Sequence, residues 1–319
     1  MLVYGISMIR NEVDVVRLNI LYHSKLGIDR RLIVDNGSTD GTDRVLKQLS
    51  SRDPGVRWTR DEGPYRQTEI HTELAREAYR EGADWVVQID ADEFWHVPEG
   101  AFRSVLARSK AAVLRAPVLN FIQRRSQKES SPDALLYMTR RAASPVGKGA
   151  QDLVEARQLA FVEKLYPRKC ISRPTPEIEI EAGNHKVYGV DVPVENTNEM
   201  FCLHAPIRSR AALEERVRTA SRPAAAGRKP GQGRYRRMLG ELEGESDVEQ
   251  EWAANSYKDE HLDVYGQQHP VIFDPRLRDA VAPYVPRPLW KRLYWRMAAA
   301  WETDHALTGD PARRRTAGR

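Results

Sequence analysis

The chain has 319 residues, of which 41% are hydrophobic and 30% are charged, and its formal net charge is +5. This composition fits a soluble globular protein with one large domain or a domain plus an extension. No stretch approaches the roughly 18 uninterrupted apolar residues of a membrane-spanning helix. The modest positive charge permits an anionic substrate or an anionic membrane surface and requires neither.

The chain starts directly in the apolar run Leu2–Ile6, without a charged leader or a cleavage site. We therefore expect a cytoplasmic protein, located at the inner face of the membrane if it contacts one. The two cysteines, Cys170 and Cys202, lack metal-ligand spacing and are expected to stay reduced in that compartment.

Residues 2–116 alternate short apolar runs with amphipathic stretches of helical spacing. Such alternation is typical of βαβ units. The sequence therefore predicts an α/β fold with a mostly parallel central sheet flanked by helices. The predicted strands are 2–8, 31–34, 56–59, 85–89 and 112–116, and the predicted helices are 12–25, 43–49, 68–81 and 99–110.

The rest of the chain is less regular. We predict a helix followed by a mobile loop in the arginine-rich section 208–237, which contains Pro-Gly and Ala-Gly runs. The domain boundary is expected at residue 207, with a helical and loop-rich C-terminal extension over 208–319 and a disordered tail over 312–319. Short strands are predicted at 178–181, 190–194 and 200–203.

A basic amphipathic helix is predicted over 288–304. Its apolar residues fall at helical spacing, with lysine and arginine between them. Such a helix can lie on an anionic membrane with its apolar face down, or it can pack on its own domain or in a dimer. The sequence leaves these alternatives open.

Two aspartates, Asp90 and Asp92, directly follow the predicted strand 85–89. Residues i and i+2 of an extended chain lie on the same side, so both carboxylates can reach one cation. A hard cation such as Mg²⁺ or Mn²⁺ held in this way commonly binds substrate phosphates as well. Because ligands of open α/β sheets bind beyond the carboxyl ends of the strands, the position favours a metal–diphosphate site over a turn or a helix cap.

Polar side chains also follow the first and second predicted strands. Asp35 stands at the tip of the second strand, where a carboxylate can accept a hydrogen bond from a nucleobase, although the residues after it also suit an ordinary capped turn. Arg10 follows the first strand and can lie beside a diphosphate, stack on a base or remain solvated.

Three segments, Met8–Glu12, Asp35–Thr42 and Asp90–Phe94, resemble family 2 glycosyltransferases of the GT-A fold. The likeness is strongest to a small bacterial branch with an Asp-x-Asp-Glu-Phe motif, related to the family 92-like enzymes. It is weaker around Gly183–His185 and His204–Ser209. The resemblance implies that 1–207 is a GT-A domain that binds a nucleotide-sugar and carries the catalytic residues.

The resemblance also implies a function and roles for single residues. The function is metal-dependent transfer of a sugar from a UDP-, GDP- or dTDP-sugar to an acceptor hydroxyl, with inversion, in cell-surface polysaccharide or glycoconjugate synthesis. No Gln-x-x-Arg-Trp motif of processive synthases occurs, which favours single additions. By likeness, Asp35 contacts the base, Arg10 and Glu12 line the nucleotide pocket, Asp90 lies near the ribose or the metal, Asp92 ligates Mn²⁺ or Mg²⁺, and His204 is the third metal ligand.

An inverting transfer requires a general base for the acceptor hydroxyl. Family 2 enzymes usually supply it from an acidic dipeptide well after the metal motif, and no such pair occurs between 110 and 210. The candidates are Glu181, which is narrowly preferred, His185 and Glu93.

Two other functions remain open. A sugar-1-phosphate nucleotidyltransferase would carry a glycine-rich phosphate loop after the first strand, and Met8–Glu12 contains no glycine. A non-catalytic GT-A-like binding module would have no reason to keep Asp90 and Asp92 close together. Nucleic-acid binding is not expected, because the arginines of 208–237 lack interleaved aromatic residues apart from Tyr235.

Overall fold

The computed structural model of the chain describes residues 1–191, 193–220, 233–258 and 270–285. One compact unit extends from Met1 to Tyr284. Most of the predicted mobile loop, together with the predicted helix 288–304 and the predicted tail 312–319, lies outside the described residues.

Sixteen strands and nine helices occur in the described residues. The strands are β1 (Val3–Ile9), β2 (Arg30–Asp35), β3 (Val56–Arg60), β4 (Trp85–Gln88), β5 (Glu93–His96), β6 (Val113–Ala116), β7 (Val118–Asn120), β8 (Gln123–Arg124), β9 (Arg140–Ala142), β10 (Lys169–Ser172), β11 (Glu179–Ile180), β12 (Val187–Tyr188), β13 (Val194–Asn196), β14 (Phe201–His204), β15 (Ser256–Tyr257) and β16 (Val271–Phe273). The helices are α1 (Val16–Leu26), α2 (Thr42–Ser50), α3 (Gln67–Arg80), α4 (Phe102–Arg108), α5 (Ala150–Glu155), α6 (Arg210–Ala220), α7 (Arg234–Gly240), α8 (Gly244–Ala254) and α9 (Arg276–Val281).

A seven-stranded sheet forms the centre, with the strand order β13-β6-β10-β4-β1-β2-β3. All its pairings are parallel except those of β10, which runs antiparallel to both β4 and β6. The predicted α/β fold with a mostly parallel sheet flanked by helices is therefore confirmed. The parallel strands β1, β2 and β4 end at the same edge, so the residues that follow them are brought together there.

The apolar composition of the central strands follows from their burial on both faces. In β4, Trp85 and Val87 pack into one hydrophobic cluster, and Val86 between them packs into another on the opposite face. Because successive side chains of a strand alternate between faces, a strand covered on both sides is mostly apolar. This is why 85–89 reads as an apolar run, which only the buried Gln88 interrupts.

A smaller sheet, ordered β5-β14-β7, adjoins the carboxyl end of β4. Its strands place His204 of β14 directly opposite Glu93 of β5 and Asn120 of β7. Side chains that lie opposite each other in neighbouring strands point to the same face. A histidine far along the chain is therefore held next to the residues that follow β4.

Two strands of the site were not predicted. The strand β10 begins with Lys169 and spans only four residues, so it carries no apolar run that would identify it. The strand β5 begins within the Asp-x-Asp-Glu-Phe segment itself. The strand predicted at 190–194 is wrong in position, because β13 covers Val194–Asn196.

Helices α6, α7 and α8 share a hydrophobic core with residues that precede position 207. Leu213, Tyr235 and Trp252 pack in one cluster with residues such as Ile122 and Phe161. The predicted boundary at 207 thus falls inside the compact unit rather than between two cores. Among the described residues, no helix has the length and apolar character needed to cross a membrane.

Candidate functional site

A cavity of about 380 Å³ opens at the carboxyl ends of β1 and β4. Its volume lies within the range of small-molecule sites. One wall is polar and comes from the strand ends and the following turns, and the other comes from the segment 161–166 and from α6 and α7. The residues that line the cavity include Arg10, Glu12, Gln67, Asp90, Asp92, Glu93, Phe161, Tyr166, Lys169, His185, His204, Arg216 and Tyr235.

Three side chains at the floor of the cavity have the composition of a metal site. Ligand atoms of Asp92, Glu93 and His204 all lie within 4.8 Å of one another, and all three residues are buried. His204 Nε2 lies 3.6 Å from Asp92 Oδ2. Glu93 Oε2 is buried and has no hydrogen-bond partner in the described part of the chain. Two carboxylates and an imidazole form an acceptable donor set for Mn²⁺, so these residues fit the predicted metal.

The ring of His204 is oriented by a residue that the sequence did not single out. Its Nδ1 lies 2.8 Å from Asn120 Oδ1, across the β14–β7 pairing. If Nδ1 donates to this oxygen, the lone pair of Nε2 faces the carboxylate of Asp92. Outer hydrogen bonds of this kind fix the tautomer of histidine ligands.

Asp90 is held differently from Asp92. Its carboxylate accepts hydrogen bonds from Lys169 Nζ at 2.9 Å and from Gln67 Nε2 at 3.1 Å, and Asn184 Nδ2 lies 3.4 Å from both oxygens. Burial alone would raise the pKa of Asp90, but the charge of Lys169 holds it below its ordinary value. The lysine also contacts Glu93 Oε1 at 2.6 Å, so Lys169 links the two carboxylates.

A chain of hydrogen bonds sets the direction in which Asn184 points. The backbone N–H of Met8 donates to His71 Nε2 at 3.1 Å, so this nitrogen is an acceptor and the ring proton is on Nδ1. Burial also lowers the pKa of His71. Nδ1 of His71 donates to Asn184 Oδ1 at 2.8 Å. The amide nitrogen of Asn184 must then face Asp90. Asn184 itself is fully buried and adopts a left-handed backbone with φ of 60°.

Burial shifts the protonation of several cavity residues. It raises the pKa of Glu93 to about 7, with only a partial offset from Lys169. It also raises the pKa of Glu12 to about 7 against the opposing charge of Arg208. Burial alone would raise the pKa of Asp92, but the electrostatic interactions of its carboxylate with His204 and Arg216 outweigh burial and hold that pKa below its ordinary value. The floor of the cavity thus holds a firmly ionised carboxylate beside one that titrates near neutral pH.

Helix α6 is anchored to the site by arginines. Arg216 contacts the carboxylate of Asp92. Arg208, just before the helix, is 3% exposed and binds Glu12 at 2.6 Å and Asp14 at 2.9 and 3.0 Å. The wall formed by α6 is therefore attached both to the segment after β1 and to Asp92.

The predicted site residues fall into two groups. Arg10, Glu12, Asp90, Asp92, Glu93, His185 and His204 all line the cavity. Asp35 and Glu181 are not among the described residues of its wall. The carboxylate of Asp35 is fully buried, accepts a hydrogen bond from the Ser38 amide at 3.0 Å and pairs with Arg60 at 3.1 Å. The roles predicted for Asp35 and Glu181 stay predictions.

Several cavity residues were missed by the sequence analysis. Lys169 and Tyr166 lie in a segment without a recognisable pattern, and Gln67 is an ordinary first residue of a helix. Arg216 was one arginine among many in the section 208–237. Asn184 had a signal, since it belongs to the Gly183–His185 segment that resembled a later motif. Only tertiary proximity separates these residues from their neighbours.

Part of the chain is similar in sequence to plant glycosyltransferases of family 92. A protein from Oryza sativa subsp. japonica is 38% identical over 96 residues, which are 29% of this chain and 16% of that protein. A protein from Ricinus communis is 33% identical over 98 residues, which are 30% of this chain and 17% of that protein. A protein from Arabidopsis thaliana is 34% identical over 93 residues, which are 29% of this chain and 16% of that protein. The matched segment is glycosyltransferase-like.

The similarity has clear bounds. The matched segment spans about one sixth of the length of these relatives. No protein-family model matches the chain. The relatives belong to family 92, which is a different family from the predicted family 2, so the family 2 and bacterial assignments stay predictions.

Two solved structures also align with the chain. The mannosyltransferase PcManGT from Pyrobaculum calidifontis, in complex with GDP-Man and Mn²⁺, is 14% identical, with 94% of this chain and 80% of that chain covered and a TM-score of 0.38. TarS residues 1–349 from S. aureus, in complex with UDP, is 11% identical, with 69% and 64% covered and a TM-score of 0.38. Scores of this size carry no inference for the present chain.

Proposed function

We propose that this protein is a glycosyltransferase that moves a sugar from a nucleotide-diphospho-sugar to a hydroxyl of a carbohydrate or glycoconjugate acceptor, with a divalent cation bound at Asp92, Glu93 and His204. The observation that carries the proposal is this cluster at the floor of a cavity beyond the carboxyl ends of parallel strands. The sequence similarity to family 92 glycosyltransferases supports the same class of reaction.

The cation, Mn²⁺ or Mg²⁺, would neutralise charge on the departing diphosphate. The protein supplies further positive charge of its own at the same place. Lys169 and Arg216 both line the cavity next to the carboxylates, and Arg10 lines it with a buried Nε that has no hydrogen-bond partner among the described residues. Donors fixed in advance around a diphosphate stabilise its developing charge without reorganisation.

We assign the acceptor to the aromatic part of the cavity wall. Phe161 and Tyr235 stack with ring centroids 3.6 Å apart, and the ring of Tyr166 lies edge-on, 5.2 Å from His204. The hydroxyl of Tyr166 has no hydrogen-bond partner in the described part of the chain. A wall that combines ring edges with a free hydroxyl suits a sugar ring, which presents apolar C–H faces and hydroxyl groups.

For the general base, the geometry favours Glu93 and His185 over Glu181, because both line the cavity. A base works best when its pKa lies near the working pH. Burial raises the pKa of Glu93 to about 7, whereas burial and the charge of Lys169 lower that of His185 to about 3. Of the two, only Glu93 has a pKa near the working pH, but the proposed cation would occupy its carboxylate, so ligand and base are alternative roles for this residue. Glu93→Gln should lower turnover in either role. A loss of Mn²⁺ affinity in this variant supports the ligand role, and unchanged Mn²⁺ affinity supports the base role.

The test is a donor screen with the full chain in the presence of Mn²⁺, measuring release of nucleoside diphosphate from a panel of UDP-, GDP- and dTDP-sugars. We expect release from at least one donor, its loss in EDTA, and its loss in Asp92→Asn. The matched control is Asp191→Asn, at an exposed aspartate outside the cavity wall. Release of pyrophosphate from a nucleoside triphosphate and a sugar 1-phosphate would indicate a nucleotidyltransferase, and nucleotide binding without turnover would indicate a binding module.

A further inference from the structure

The turn Ile89–Glu93 carries the acidic residues of the site. We call this segment the carboxylate turn. Two buried side chains donate hydrogen bonds to its backbone carbonyl groups. Ser7 Oγ donates to the carbonyl oxygen of Ile89 at 2.6 Å. Asn19 Nδ2 lies 3.3, 3.0 and 2.8 Å from the carbonyl oxygens of residues 90, 91 and 93. Four of the five carbonyl oxygens of the turn thus lie within hydrogen-bond distance of two side chains, which share three donor hydrogens among them.

Both side chains receive hydrogen bonds from one arginine. Arg31 Nη2 donates to Ser7 Oγ at 2.8 Å, and Nη1 and Nη2 lie 3.3 and 3.4 Å from Asn19 Oδ1. A guanidinium has only donors, so both oxygens must act as acceptors. The hydroxyl proton of Ser7 and the amide protons of Asn19 are then left for the carbonyl groups of the turn. Arg31 therefore determines which atoms of Ser7 and Asn19 accept hydrogen bonds and which donate them to the turn.

The burial of Arg31 would be costly without such a role. The residue is 2% exposed and pairs with no carboxylate among the described residues, and burial of an unpaired charge is unfavourable. Burial lowers its pKa to about 9, so it remains charged at neutral pH. The sheet also makes room for it. A Cβ atom at Gly5, which lies opposite Arg31 in the β1–β2 pairing, would stand 2.6 Å from Arg31 Cδ.

We propose that Arg31 is a positioning residue of the candidate site, which acts through Ser7 and Asn19 to hold the carboxylate turn in the shape that presents Asp92 and Glu93 to a cation. The inference rests on the proposed function in so far as these carboxylates serve a metal. The arrangement of the turn itself does not depend on that function.

The experiment compares Arg31→Met and Asn19→Asp with Arg30→Met in the full chain. Arg30 is the neighbouring arginine of β2, is half exposed and lies 3.8 Å from Glu81, so it controls for loss of a charge on the same strand. Two quantities are measured: amide hydrogen exchange of a peptide that covers the carboxylate turn, and the affinity for Mn²⁺. In Arg31→Met and Asn19→Asp we expect the amide exchange rate of the carboxylate turn to rise about tenfold or more, while the exchange rate of α2 stays unchanged. The Kd for Mn²⁺ should rise about tenfold to a hundredfold.

The control and the possible outcomes separate the alternatives. Arg30→Met should change neither quantity. The proposal is overturned if exchange in the turn stays at the wild-type rate, or if it rises only by the factor seen in every other segment, as in general destabilisation. If the wild-type chain binds no Mn²⁺, the proposed metal function fails, and the exchange data still decide the positioning role. Should Arg31→Met not fold, Ser7→Ala removes one link with the arginine in place, and unchanged local exchange there would also overturn the proposal.

Discussion

At the scale of single residues, the candidate site depends on which polar groups are already paired within the protein. Lys169 pairs with Asp90 and with one oxygen of Glu93, and Arg216 pairs with Asp92. In the described part of the chain, the other oxygen of Glu93 and the hydroxyl of Tyr166 have no such partner. Groups without an internal partner are available to a ligand, and their removal leaves nothing unpaired in the protein. This distinction makes residue-level predictions possible.

Tyr166→Phe should weaken binding of one substrate without destabilising the fold. The lost hydrogen bond is worth about 0.5–1.5 kcal/mol, so KM for that substrate should rise by a factor of roughly 2 to 10. The free energy of unfolding should change by less than about 0.5 kcal/mol. Tyr79→Phe, at an exposed tyrosine of α3, is the matched control. Unchanged KM values for donor and acceptor would show that the hydroxyl does not contact substrate.

His185→Gln should change the pH dependence of stability. Burial and the charge of Lys169 lower the folded-state pKa of His185 to about 3, below the ordinary value of about 6.5 in the unfolded chain. Between these values only the unfolded state takes up the proton, so this histidine contributes a loss of stability as the pH falls below about 6.5. The wild-type chain should therefore lose about 1–2 kcal/mol more than the variant between pH 7 and pH 5. Urea unfolding at both pH values measures this, and equal losses would contradict it.

At the scale of secondary-structure elements, α6 is the element that ties the second half of the chain to the site. Arg208 before it binds Glu12 and Asp14 beyond the end of β1, and Arg216 within it contacts Asp92. These contacts join segments separated by roughly 120 to 200 positions. The helix itself is amphipathic only weakly, with Leu213 as its buried residue, so its position depends on the ion pairs as well as on packing.

Arg208→Met should destabilise the protein by about 3–5 kcal/mol, because it leaves two largely buried carboxylates without their partner. The matched control is Arg218→Met, at an arginine of the same helix whose side chain is 70% exposed and pairs with Glu215. That change should cost less than about 1 kcal/mol. Thermal and urea unfolding give both values, and similar losses for the two variants would refute a role for Arg208 in anchoring α6.

At the scale of the whole molecule, the compact unit Met1–Tyr284 includes helices that the sequence placed in an extension. Their apolar residues complete a core together with residues 122–162. A chain cut at residue 207 would expose the first half of that core. Each large side chain left in water forfeits about 1.5–3 kcal/mol, and several together exceed the stability of an ordinary domain.

A chain truncated after Tyr284 should therefore fold, and one truncated after residue 207 should not. We expect the longer fragment to unfold cooperatively on heating and to bind Mn²⁺ as the full chain does. The shorter fragment should be insoluble or should lack a cooperative transition. Circular dichroism and analytical gel filtration distinguish these states. A cooperative, monomeric 1–207 fragment would establish 207 as a true domain boundary.

Features that depend on neighbouring residues could be predicted from the amino-acid sequence alone. Apolar runs such as 85–89 identified the buried parallel strands, because both of their faces are covered. Polar residues at the tips of those strands indicated Arg10, Asp90 and Asp92, which line the cavity, because parallel strands end at one edge of a sheet. Glu12 and His204, which also line it, were indicated by the resemblance to glycosyltransferases.

Which distant groups meet these residues depends on how the whole chain packs and could not be predicted from short segments. Lys169 reaches Asp90 from an antiparallel strand without an apolar run, and Arg216 reaches Asp92 from a helix more than 100 positions later. Arg31 reaches Ser7 from the neighbouring strand β2. Their local sequence is that of ordinary surface lysines and arginines. What distinguishes them is burial next to a particular partner, and burial is a property of the packed chain rather than of any short segment.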